Sequence, residues 1–99
     1  MLYRHGDVLI QKIQKIPADA KKLQGLTLAE GEVTGHSHRI KERANAIMHR
    51  LDAIRYLTVT TAPATIIHEE HGPIELPKGK YKVWRQREYT PERIITVRD

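Results

Sequence analysis

Cysteine does not occur in the 99 residues of this chain, which removes disulfides, thiolate nucleophiles and Cys-based zinc sites together. Any metal must be held by His, Asp or Glu. No stretch approaches the roughly 20 apolar residues that span a bilayer. The segment Met1 to Asp7 lacks the basic start and apolar run of a signal peptide. The cytoplasm is therefore the expected compartment, with no membrane partner. Internal repeats and low-complexity tracts are also missing, and acidic residues are too many and too interspersed for the net charge of +5 to form a basic tail. That excess charge allows weak attraction to polyanions and bears on solubility more than on fold.

What is present fits one small domain over residues 1–99. A chain of this length buries only about two-thirds of its unfolded surface, so its stability margin is modest. A homodimer is a natural supplement.

The apolar pattern is that of short strands. Val8 to Ile13, after the turn-like Gly6-Asp7, is rich in β-branched residues and ends before Pro17. Ala18 to Gly25 carries Lys21-Lys22 and no sustained apolar stripe, so a loop with a short helical turn over 18–24 is expected. Leu26 to Ala29 and His36 to Ile40 read as extended, and Gly35 suggests a bulge. Ile40 to Leu51 fits helical and strand spacing alike, with the strand preferred. A tight turn at Asp52-Ala53 then makes a hairpin with Ile54 to Thr61. Ala64 to His68, Ile74 to Leu76, Lys80 to Tyr89 and an edge strand over Glu92 to Arg98 follow. Roughly eight short segments at close spacing imply an all-β small barrel or sandwich.

Histidine carries the candidate chemistry. His36 and His38 are two apart, so on a strand both imidazoles project to one side, about 6.5 to 7 Å apart along the backbone. His68 and His71 are three apart, which puts them on opposite faces of a regular strand, but Gly72-Pro73 ends the strand and a turn can swing His71 round. Glu69 and Glu70 lie between them, and Glu42 follows His38 by four residues. Imidazoles with a carboxylate suit Zn, Mn, Fe, Ni or Cu, and a vacant position lets a bound water act as nucleophile. The expected ligands are His36, His38 and His68, with His71, Glu42 and Glu69 as substitutes. Strand-end histidines that are merely solvated or hydrogen-bonded fit the same pattern. So does a metal-free proton transfer in which Glu69 or Glu70 orients a histidine as catalytic base. His5 and His49 read as surface or core fillers.

The run Gly31-Glu32-Val33-Thr34-Gly35-His36-Ser37-His38 and the segment from His68 to Pro91 resemble an uncharacterised family of short bacterial and phage proteins. Members of that family begin with a Gly-Asp-Val-Leu element, as Gly6 to Leu9 do here. The resemblance covers nearly the whole chain and implies no activity. A second similarity, over fewer residues, is to the metal motif of cupins, small β-barrels with His-x-His, a following Glu and a later His. It implies His36, His38, Glu42 and either His68 or His71 as ligands. Gly31 stands one residue too close to His36 for that pattern, and Pro77-Lys78-Gly79 follows the later histidines instead of preceding them.

Lys80 to Tyr89 interleaves cations and rings. Tyr81, Val83, Arg85, Arg87 and Tyr89 share one face, and Lys80, Lys82 and Trp84 the other. Rings beside cations suit a single-stranded nucleic acid, with Lys80, Lys82, Trp84, Arg85 and Arg87 as contacts. The competing expectation is that Val83 and one or two rings fill the core while the cationic stems cover its rim. A structural or adaptor oligomer without a small-molecule ligand is a third reading.

Overall fold

A computed structural model describes residues 2–30 and 36–86. Among these described residues ten strands run in chain order: β1 (Leu2–His5), β2 (Val8–Ile13), β3 (Lys21–Leu23), β4 (Thr27–Glu30), β5 (Ser37–Ile40), β6 (Ala46–Leu51), β7 (Ile54–Val59), β8 (Ala64–Ile67), β9 (Ile74–Leu76) and β10 (Gly79–Arg85). A 3-10 turn, Arg43–Asn45, precedes β6. The strands form a six-stranded sheet ordered β1-β2-β10-β7-β6-β3 and a four-stranded sheet ordered β4-β5-β8-β9. Every pairing is antiparallel. The fold is therefore all-β and a two-sheet sandwich. Among the described residues the two sheets share no ladder, so they do not close into a barrel.

Alternation along the strands decides the core. On β2 and β10, Val8, Ile10, Tyr81 and Val83 point inward, where Leu57 and Val59 of β7 and Met48 of β6 meet them. Leu28, Ile40, Ala64, Ile66 and Leu76 of the smaller sheet close the same core. Each fully buried side chain of this size contributes about 1.5 to 3 kcal/mol.

Two turns set the edges that matter below. The β1–β2 hairpin turns on Gly6-Asp7 with Gly6 at φ +65, and β6–β7 turns on Asp52-Ala53 with Asp52 at φ 55. Both are two-residue loops, which need a residue in the left-handed region.

Several expectations are corrected. Residues 21–23 are a strand, not part of a helical turn: β3 takes its hydrogen bonds from the edge of β6, a gain that local Lys-Lys propensity does not reveal. Leu2–His5, given no structure by the sequence pattern, is a strand for the same reason. The ambiguous stretch from Ile40 resolves into the 3-10 turn and then β6. The suggested bulge at Gly35 and the edge strand over Glu92 to Arg98 lie outside the described residues. Among the described residues no helix is long and apolar enough to cross a membrane.

Candidate metal centre

One end of the sandwich gathers histidines from four places in the chain. His38 points inward from β5 and is almost fully buried at 3% exposure. His68 extends the line of β8, and His71 lies in the loop to β9. The ring centroids of His38 and His68 are 4.4 Å apart, those of His38 and His71 5.6 Å, and those of His68 and His71 4.7 Å. The two sequence pairs thus converge. The loop after β8 swings His71 round, since a straight strand would have sent it to the other face.

His38, His68 and His71 each offer one nitrogen, and these atoms lie within 4.8 Å of one another. With metal–nitrogen bonds near 2.1 Å, ligands of one tetrahedral ion are about 3.4 Å apart. The cluster therefore needs to close by about an ångström or somewhat more. A second group, His36, His68 and Glu69, meets the same separation. His36 sits just before β5, with its ring 5.6 Å from that of His68 and its Nδ1 3.9 Å from Glu70 Oε2.

His5, which the sequence marks as a filler, is central. It ends β1, is 2% exposed, and its Nδ1 lies 2.8 Å from His38 Nδ1. Its Nε2 lies 2.8 Å from the carbonyl oxygen of Gly72. A carbonyl only accepts, so His5 Nε2 carries the proton. With both rings neutral, His5 Nδ1 then accepts from His38 Nδ1–H, and His38 Nε2 is left as a bare lone pair. This is the outer-shell bond that fixes the tautomer and orientation of metal-binding histidines.

Burial pushes the His38 ring down from 6.5 to about 4, helped by the neighbouring His68 and His5 and opposed by Asp7. Burial likewise lowers His68, with His71 adding to it. Neutral imidazole is the form that binds metal. His68 Nδ1 accepts a hydrogen bond from the Glu70 amide at 3.0 Å. Its neutral proton is therefore on Nε2, and a cation must displace either that amide or that proton.

Asp7, also unmarked by the sequence beyond its place in a turn, puts Oδ1 3.9 Å from His38 Nε2 and Oδ2 3.4 Å from Arg85 Nη1. The backbone of Gly6 runs against the rings: a Cβ there would lie 2.8 Å from His71 Nε2 and 3.0 Å from His38 Cε1. The signal available in the sequence was His5-Gly6-Asp7, a ligand type, a glycine and a carboxylate at a hairpin tip.

The carboxylates expected to help are placed differently. Glu42 turns to β8: its two oxygens accept from the Thr65 amide and the Thr65 hydroxyl, each at 2.7 Å. Those bonds, the amide first, hold its carboxyl below the usual range, and it belongs to neither histidine group. Glu69 accepts from Ser37 N at 3.1 Å and pairs with Arg39 at 2.8 Å. Backbone hydrogen bonds, its own first and then that of Ser37, lower its pKa, with Arg39 adding to the effect. Glu70 is exposed beside His36. His49 is half-buried on β6, with Nδ1 lacking a hydrogen-bond partner.

Of the residues read as nucleic-acid contacts, Lys80, Lys82, Trp84 and Arg85 all lie on β10. Tyr81 and Val83 are core, and the Tyr81 hydroxyl donates to the carbonyl of Pro77. Lys82 Nζ lies 5.2 Å over the Trp84 ring on the outer face, while Arg85 points to the inner face with Asp7. Arg87 lies outside the described residues.

A family model described as Domain of unknown function (DUF8820) matches residues 4–86, and the chain belongs to that family. No curated protein and no solved structure matches the chain.

Proposed function

We propose that this member of the family binds one divalent transition metal through His38, His68 and His71. The observation that carries the reading is the hydrogen-bond chain from the Gly72 carbonyl through His5 to His38, which leaves Nε2 unprotonated on a ring that lies 4.4 Å from His68 and 5.6 Å from His71. A buried polar chain of this kind costs conformational freedom and desolvation, and core packing alone would be served as well by apolar residues. Three neutral nitrogen ligands fit Zn, Mn, Fe, Ni or Cu, and leave at least one position for water or a small molecule. When bound, the ion supplies Lewis-acid activation of that ligand. Asp7 faces the same nitrogen of His38 and is the carboxylate placed to take a proton or to join the ion.

The proposed set keeps two parts of the cupin pattern, a histidine of His-x-His and a later histidine, and drops its glutamate because Thr65 engages Glu42. Metal-free proton transfer by Glu69 is disfavoured by its pairing with Arg39. A cysteine-free, nitrogen-ligated centre suits the cytoplasm.

Metal analysis of tag-free protein, with zinc titration of the wild type and of a His68→Ala/His71→Ala variant, tests the reading. About one ion per chain, lost in a variant that keeps its far-ultraviolet spectrum, is expected. Substoichiometric, non-saturating metal in the wild type would overturn it.

A further inference from the structure

A notch opens where β3 stops short of the end of its partner. The pairing runs from Lys21 opposite Arg50 to Leu23 opposite Met48, while β6 continues to Ala46. The chain bends at Gln24-Gly25 instead of extending the ladder. One hydrogen bond accounts for the departure: the Leu26 carbonyl accepts from the Ile40 amide at 3.0 Å, which draws the chain over to the smaller sheet. The Ala46–Ile47 edge of β6 is thereby left without β3 beside it.

The notch holds a cavity of about 420 Å³, within the size range of small-molecule sites. Leu23, Leu26, Ile47 and Met48 line it, and Ile47 is one of two large apolar side chains that the described residues expose. Lys22 of β3 and Arg43 of the 3-10 turn also line it, and both are exposed. Among the described residues neither cation takes part in an ion pair, and no acidic side chain lines the cavity. Apolar walls with two cations and no acid complement a molecule whose hydrocarbon part avoids water and whose head is an anion.

We propose that this notch binds a small amphipathic carboxylate, with its hydrocarbon tail against Leu26, Ile47 and Met48 and its carboxylate held by Lys22 and Arg43. The tail supplies most of the affinity, since each buried methylene strengthens binding about threefold to fourfold. The head supplies selectivity, because exposed charge pairs contribute little individually but cost nothing to an anion and repel a cation. The site stands apart from the proposed metal centre, none of whose ligands lines it.

Titration of the metal-free full chain with octanoate, butyrate and 1-octanol tests it, followed by nuclear magnetic resonance of the Met48 methyl group. Met1 and Met48 are the two methionines of the chain, so a Met48→Leu variant assigns the signal. Octanoate is expected to give a saturable shift with a midpoint of about 1 mM or tighter. Butyrate, with its shorter tail, is expected to bind at least about tenfold more weakly, and octanol, with no charge, about fivefold more weakly. In a Lys22→Gln/Arg43→Gln variant the octanoate affinity should fall to that of octanol while the melting temperature holds, because both side chains are exposed. A shift that stays linear in octanoate to about 20 mM would overturn the proposal. So would equal affinity for butyrate or octanol, or unchanged octanoate affinity in the double variant.

Discussion

The Nδ1 atoms of His5 and His38 lie 2.8 Å apart across 33 residues of chain, and only one of the two rings can supply the proton between them. Because Gly72 takes the His5 Nε2 proton, His38 must be the donor. Replacing His5 by Phe keeps a ring of similar bulk in the buried position and removes both bonds. Zinc affinity is expected to fall about 10- to 100-fold, the usual penalty for losing an outer-shell partner. Competition against a fluorescent chelator measures it. Unchanged affinity would separate His5 from the centre.

Gly6→Ala acts on the same rings from the other side. Alanine at φ +65 carries about 1–2 kcal/mol of left-handed strain, and its Cβ would press on His71 Nε2 at 2.8 Å. The expected result is a lower melting temperature together with weaker zinc binding, since His71 must move.

Stability is expected to depend on pH below neutrality. The unfolded chain protonates the His38 ring near its ordinary value of 6.5, whereas the folded chain resists until about pH 4. Between those values the unfolded state binds more protons, so stability falls as pH drops through that window and is level above it. The loss amounts to at most about 3 kcal/mol, read as a falling urea midpoint. His38→Gln should flatten the profile.

Glu42→Gln separates structure from site. It weakens the acceptors for the Thr65 amide and hydroxyl, so the melting temperature is expected to fall. Metal stoichiometry is expected to stay at the wild-type value. A loss of metal at unchanged stability would return Glu42 to the ligand set.

Zinc loading should also move one backbone signal. The Glu70 amide donates to His68 Nδ1, and ligation by either nitrogen of that ring disturbs the bond. A large amide shift at Glu70, with little change at Thr65, is the expected pattern.

By itself the sequence determined that any metal would have to be held by histidine or carboxylate, because cysteine is absent. It also showed that the chain folds as short strands, because its apolar residues alternate between turn residues, and that His36, His38, His68 and His71 are the residues to watch. The β6–β7 hairpin and the inward face of Tyr81 and Val83 were legible in the same way, being local matters of period and turn chemistry. Only the tertiary structure decided that His5 and Asp7 lie beside the cluster, that Glu42 turns to Thr65, and that Glu69 pairs with Arg39 while staying near His36 and His68. It likewise decided that Lys21, Arg50 and Arg55 stand in one row. Alternation tells which face of a strand a side chain occupies, but not which strand lies beside it. In an antiparallel sandwich that choice is made by pairing between distant segments, so the neighbours of a histidine or an arginine are fixed by register and sheet order and not by sequence spacing.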